Sequence, residues 1–256
     1  MTSLELFANL ARNVGGERVE VKALLPSGAD PHTYELPPER VAAVARADLL
    51  FVNGLGLEAS IEDVITNNAG GPVVELAEGL PATDDGNPHL WLDVTNAIRY
   101  IERIRDALTA EDPAGETAYR QHANRYVAQL EALDEEIEAG IAGIPAERRK
   151  LVTFHDAFRY LAERYGMAVV AIVAPSPGQE PSARDLAELT ETLRDQQVPA
   201  VFKEPQFSAR VLELAANDAG VRVLDLLSDA FTDEADSYAE LMRFNLRQLQ
   251  EGLGDD

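Results

Sequence analysis

The chain has 256 residues, 45 acidic and 22 basic, for a formal charge of -23. That surplus of negative charge argues against binding nucleic-acid phosphates and against docking on anionic lipid. With no cysteine, it has no disulfide, no thiolate metal site and no cysteine nucleophile.

A hydrophobic content of 46% and strong periodicity describe a folded chain, long enough for one large domain or two small ones. No run reaches the ~18 apolar residues of a spanning helix. Met1-Thr-Ser-Leu-Glu-Leu-Phe7 has neither signal-peptide architecture nor a lipidation cysteine. Taken alone, that start predicts a cytoplasmic chain unless a leader has been removed.

In order, Leu4 to Val14 is a predicted amphipathic helix closed by Gly15-Gly16, and Val19 to Leu25 a predicted strand. Pro26-Ser-Gly-Ala-Asp-Pro31 breaks the strand and delivers His32 at its carboxyl end, where open α/β sheets place ligands. Pro37-Pro38 opens a helix, Asp48 to Val52 reads as a buried strand, and Asn53-Gly54-Leu55-Gly56 turns the chain. A Gly-x-Gly after a strand hints at nucleotide binding, but without a third glycine turn geometry is the better reading. Helix Ile61 to Asn67 and strand Pro72 to Leu76 follow, and the polar loop Thr83 to Pro88 delivers His89 before Asp93 caps another helix.

From Gly115 to Ala142 one long helix is predicted, with Tyr119, Tyr126, Leu130, Leu133, Ile137 and Ile141 as its apolar stripe. At 1.5 Å per residue it spans about 40 Å. Beyond Pro145 the rhythm restarts with strand Leu151 to Phe154, helix Ala157 to Tyr165, strand Ala168 to Val173 and a Pro/Gly loop, Ala174 to Pro181. Ser182 and Asp185 form a capping box for helix Ala183 to Gln196. Strand Ala200 to Lys203, helix Ala209 to Ala219, strand Val221 to Leu226, loop Ser228 to Asp236 and helix Ser237 to Leu249 complete the chain. The expected fold is α/β: an N-terminal lobe at 1–112, a long connecting helix at 113–145 and a C-terminal lobe at 146–256.

Three of the four histidines, His32, His89 and His155, fall where a strand or loop gives way to new structure. A site uniting them would lie in the cleft between the lobes. Imidazole suits zinc and other transition ions, and tetrahedral zinc needs four donors, so the fourth would be a carboxylate: Asp229 or Glu204. Asp156, Glu35 and Asp93 stand next to the histidines, where they could orient the imidazoles. A loop histidine is more often structural, and spacings of 57 and 66 residues form no local metal motif. His122 lies mid-helix beside Tyr119 and Tyr126, where packing explains it.

The stretches Gly-Ala-Asp-Pro-His-Thr-Tyr-Glu (28–35), Ala-Asp-Leu-Leu-Phe-Val-Asn-Gly-Leu-Gly-Leu-Glu (47–58), Asn-Pro-His-Leu-Trp-Leu-Asp (87–93) and Thr-Phe-His-Asp-Ala-Phe (153–158) resemble the metal-binding solute receptors of ABC transporters. Phe202-Lys-Glu-Pro-Gln-Phe207, Ser228-Asp229 and Asp236-Ser-Tyr238 match that family too. The resemblance implies two α/β lobes joined by one rigid helix, with the ion enclosed between them. It puts the family's ligands on His32, His89, His155 and Asp229. Histidine at the third position is typical of zinc receptors, whereas many manganese receptors have glutamate there, so His155 favours zinc with manganese as the alternative. The family further implies a periplasmic or membrane-anchored monomer that hands its ion to an ABC permease. Its members begin with a leader and a first strand ahead of the segment matched by Met1-Thr2-Ser3, so an open position is expected in the first lobe's sheet.

Two other classes remain to be tested. A zinc hydrolase would use the histidines with an open fourth position and Glu204 as general base, although no His-Glu-x-x-His or Gly-x-Ser-x-Gly motif is present. A metal-stabilised adhesin would hold the ion permanently.

Overall fold

The computed structural model describes residues 1–174 and 182–254. It divides into two compact units, Met1–Ala132 with Asp229–Tyr238, and Leu133–Ser228 with Ala239–Asp256. Each is α/β with parallel strands.

The first unit contains α1 (Glu5–Gly15), α2 (Pro38–Val44), β1 (Leu50–Val52), α3 (Glu62–Asn68), β2 (Val73–Glu75) and α4 (Val94–Glu111). Strands β1 and β2 pair in parallel from Leu50↔Val73 to Val52↔Glu75. Thr2 extends that sheet, bridging in parallel to Phe51 on one side and to Ala23 on the other. Two expectations change here. The position expected to stand open is filled by Thr2 and Ser3, both wholly buried. The strand predicted over Val19 to Leu25 is represented by a single bridge, Ala23 to Thr2.

Phe7 of α1 meets Trp91 edge-on at 5.4 Å and Tyr100 of α4 at 5.9 Å, and all three rings are fully buried. Burying side chains of this size stabilises by about 1.5–3 kcal/mol each, so this cluster anchors the segment that carries His89. Helix α4 starts as predicted, with the Asp93 side chain accepting from the Thr95 amide.

Helix α5 (Glu116–Ala142) has 27 residues, and the boundary between the units falls inside it, after Ala132. All six residues of its predicted stripe are buried. His122 bonds through Nδ1 to the Val14 carbonyl at 3.0 Å, the structural role expected of it.

The second unit contains β3 (Lys150–His155), α6 (Arg159–Arg164), β4 (Ala168–Ala174), α7 (Ala183–Asp195), β5 (Ala200–Lys203), α8 (Arg210–Ala219) and β6 (Arg222–Asp225), while α9 (Tyr238–Leu253) enters it from Ala239 onward. The predicted capping box is formed by Ser182 and Asp185, and the predicted Pro/Gly loop lies, after Ala174, outside the described residues. The parallel sheet runs β4-β3-β5-β6. Val152, Phe154, Val201, Leu193, Leu212 and Ala216 form its core with α7 and α8. The chain leaves β3 in one direction to make β4 and returns past it to make β5, so the sheet reverses between β3 and β5. The pairing in the first unit gives the same order, with Ala23, Thr2, β1 and β2 in sequence and the reversal between Thr2 and β1. In α/β sheets such reversals are where ligands bind, outside the strands' carboxyl ends.

Candidate metal centre

His32 sits in a turn organised by Asp30, whose carboxylate accepts from the His32 amide at 3.0 Å and from Thr33 Oγ1 at 2.8 Å. His89 follows the loop that Asn87 ends. Asn87 Oδ1 accepts from the His89 amide at 3.1 Å and meets His89 Nδ1 at 3.0 Å, a contact that favours the ring proton on Nδ1 and an unprotonated Nε2. A single 3-10 turn, Leu90–Leu92, then leads into α4. The two imidazoles lie with centroids 5.4 Å apart at 60°, and a ring nitrogen of one is within 4.8 Å of a ring nitrogen of the other. Two nitrogens on one tetrahedral zinc stand about 3.4 Å apart at Zn–N bonds near 2.05 Å, within that bound.

Asp229 is buried at 5% exposure and its segment, Asp229–Tyr238, belongs to the same unit as both imidazoles. Tyr238 secures the end of that segment. Its hydroxyl donates to the Trp91 carbonyl at 2.6 Å and its amide to Asn9 Oδ1 at 3.1 Å, tying the Asp229 segment to the turn that carries His89.

In the second unit His155 is the last residue of β3, and Glu204 follows the last residue of β5. These strands flank the reversal of the sheet, and the two side chains meet there, His155 Nδ1 to Glu204 Oε2 at 2.7 Å. Glu204 is 1% exposed, and Phe207 packs edge-on against the imidazole at 4.9 Å. A carboxylate accepting from Nδ1 sets the tautomer and leaves Nε2 unprotonated.

The orienting role expected of adjacent acids thus falls to Asn87 for His89 and to Glu204 for His155. Asp93 instead caps α4, Asp156 accepts from Arg159 at 2.6 Å, and Glu35 is exposed. Glu204, expected as a fourth donor or a general base, meets His155 through Oε2, while its buried Oε1 makes no hydrogen bond among the described residues. Only strand order could have revealed that contact, since 49 residues separate the pair. Asn87 was within reach of sequence reasoning, because an Asn two residues before a turn is a recurrent backbone cap.

The Gly-x-Gly turn is built around the Glu58 carboxyl. Gly54, Leu55 and Gly56 all have positive φ, at 83°, 53° and 76°, and the loop wraps around its own Glu58. Ser3 Oγ and the Asn53 amide donate to Glu58 Oε1 at 2.6 and 2.8 Å, and the Gly54 amide to Oε2 at 3.2 Å. Burial pushes the Glu58 carboxyl above its ordinary range, opposed by these hydrogen bonds.

Three histidines, one of them closing a strand of a parallel sheet, are a grouping that could hold a divalent metal ion. The family model for the zinc-uptake complex component A, periplasmic (ZnuA), matches residues 1–252, and the chain belongs to that family. It is 32% identical over 265 residues to the manganese-binding lipoprotein MntA of Halalkalibacterium halodurans, covering 99% of this chain and 87% of that one. Among solved structures, the periplasmic zinc binding protein TroA of Treponema pallidum superposes with a TM-score of 0.92 at 28% identity, covering 99% of this chain and 98% of the other. A Mn-bound periplasmic metal binding protein from Candidatus Liberibacter asiaticus gives 0.88 at 26% identity, with 98% of each chain covered. The protein is therefore a metal-capturing receptor component of an ABC transporter and not an enzyme. Among the described residues no helix is long and apolar enough to cross a membrane.

Proposed function

We propose that this receptor captures zinc in preference to manganese, outside the cytoplasm, and delivers it as a monomer to its ABC permease. The ligands in this reading are His32, Nε2 of His89, Nε2 of His155 and the carboxylate of Asp229. Three imidazoles make a nitrogen-rich shell that suits zinc, whereas a shell richer in carboxylate suits manganese. The observation that carries the reading is His155, which ends β3 with its Nδ1 on the buried Glu204 and so supplies an oriented third imidazole. A fourth donor from Asp229 would close the shell, leaving no position for an activated water. An extracytoplasmic site of action is supported by relatives described as periplasmic or as lipoproteins.

Competition of the metal-stripped protein against a chromophoric chelator, with zinc and with manganese, tests this. One tight site preferring zinc and lost in His155→Ala is expected. Equal affinity for both ions, or tight zinc binding that survives His155→Ala, would overturn it.

A further inference from the structure

We infer that Asn53 is a positioning residue for the ion ligand His89, acting through the backbone of Pro88. The inference rests on the proposed role of His89. Asn53 is the first residue after β1, on the strand that flanks the reversal of the first unit's sheet, and it is wholly buried. In an α/β sheet that location ordinarily receives a ligand. Here it is filled by a polar network of the chain's own groups.

Every polar atom of Asn53 has an assigned partner. Its amide donates to Glu58 at 2.8 Å, and its carbonyl accepts from the Ala77 amide at 3.0 Å. The hydroxyl of Tyr100, on α4, donates to Oδ1 at 2.6 Å. Nδ2 donates to the carbonyls of Gly54 at 3.0 Å and Pro88 at 2.9 Å. The last bond joins the network to the site, since Pro88 directly precedes His89. Because Oδ1 faces a donor and Nδ2 faces two carbonyls, only one orientation of the amide fits.

The turn bearing His89 is thereby held at three points by three asparagines. Asn53 holds the carbonyl before the histidine, Asn87 holds its amide and ring, and Asn96 Nδ2 donates to the Leu90 carbonyl at 3.1 Å. Asn53 alone among them reaches across from another element of the sheet. Tyr100 sets its amide and the Glu58 carboxylate sets its backbone, so Asn53 transmits the geometry of β1 and α4 to the imidazole. Buried networks of this kind, fully satisfied, specify one arrangement of the groups they connect. A ligand held within a fraction of an ångström binds its ion without first being ordered.

The test is a double-mutant cycle read by zinc affinity of the full chain, with zinc alone as the probe. Tyr100→Phe removes only the hydroxyl that sets the Asn53 amide, and Asn53→Asp keeps the acceptor for Tyr100 while losing both donors. Each is expected to weaken zinc binding about tenfold, the scale typical of groups that orient a metal ligand. The weak zinc binding that remains in His89→Ala should be unmoved by Tyr100→Phe, whereas the weak binding that remains in His155→Ala should fall further. A general loss of structure would weaken binding alike in both backgrounds. Unchanged affinity in Tyr100→Phe, or a cost undiminished in His89→Ala, overturns the inference, and Tyr100→Phe alone decides it if Asn53→Asp does not fold. Zinc binding unaffected by His89→Ala would instead overturn the proposed function.

Discussion

Replacing Glu204 by glutamine separates its role on His155 from a role on the ion. The wild-type contact is a 2.7 Å hydrogen bond between an imidazole and a carboxylate that is 1% exposed. Hydrogen bonds to charged groups contribute about 1.5–3 kcal/mol, and neutral ones about 1. Glutamine keeps a neutral acceptor in the same place, so the expected loss is the difference, about 0.5–2 kcal/mol. At 1.4 kcal/mol per tenfold, zinc affinity should fall about 2- to 30-fold. Leucine, which leaves the Nδ1 proton buried without its acceptor, should cost more. The assay is chelator competition at pH 7.5, with thermal unfolding of the metal-free variants to show that the fold survives. If Glu204 were the fourth donor, glutamine would abolish tight binding, and Asp229→Asn would be mild. Either that pattern or an unchanged affinity would refute the orienting role.

Three further outcomes are expected. Zinc affinity should fall as pH drops through about 6.5, because protons compete for the imidazole nitrogens, and full affinity at pH 5 would count against a three-histidine site. Glu58, whose carboxyl is raised by burial, contributes stability that is present below the ordinary value of 4.5 and lost as pH rises through its folded value. In Glu58→Gln that component of the pH–stability curve should vanish, and curves that stay parallel to wild type from pH 4 to 8 would contradict it. Ser182→Ala removes the oxygen that accepts from the Asp185 amide in the capping box of α7 and should destabilise by about 1 kcal/mol in denaturant unfolding; no measurable change would show the cap is idle.

Local rules carried most of the fold. The apolar stripe of α5, the Asp93 cap of α4 and the Ser182–Asp185 box were all written in short-range patterns, and β5 spans the residues predicted for it. Pairing was less legible. Val19 to Leu25 has the alternation of a strand, with Glu20 and Lys22 exposed, yet its pairing is one bridge, since alternation alone does not decide pairing. The same divide runs through the site. His32, His89 and His155 stood out by position at predicted strand or loop ends, but their supports did not. Glu204 reaches His155 because β3 and β5 are neighbours, and Asn53 reaches Pro88 because β1 ends beside that loop; neither adjacency follows from chain order. Asp156, directly after His155 at the end of β3, looked better placed than it is, since consecutive residues at a strand end point to opposite faces.

The most direct measurement of the central claim is X-ray absorption at the zinc edge of the zinc-loaded protein. The account predicts a four-donor shell of nitrogen and oxygen at about 2.0–2.1 Å, with the outer-shell scattering of three imidazoles and one carboxylate. Two imidazoles or fewer, or a six-coordinate oxygen shell, would contradict it.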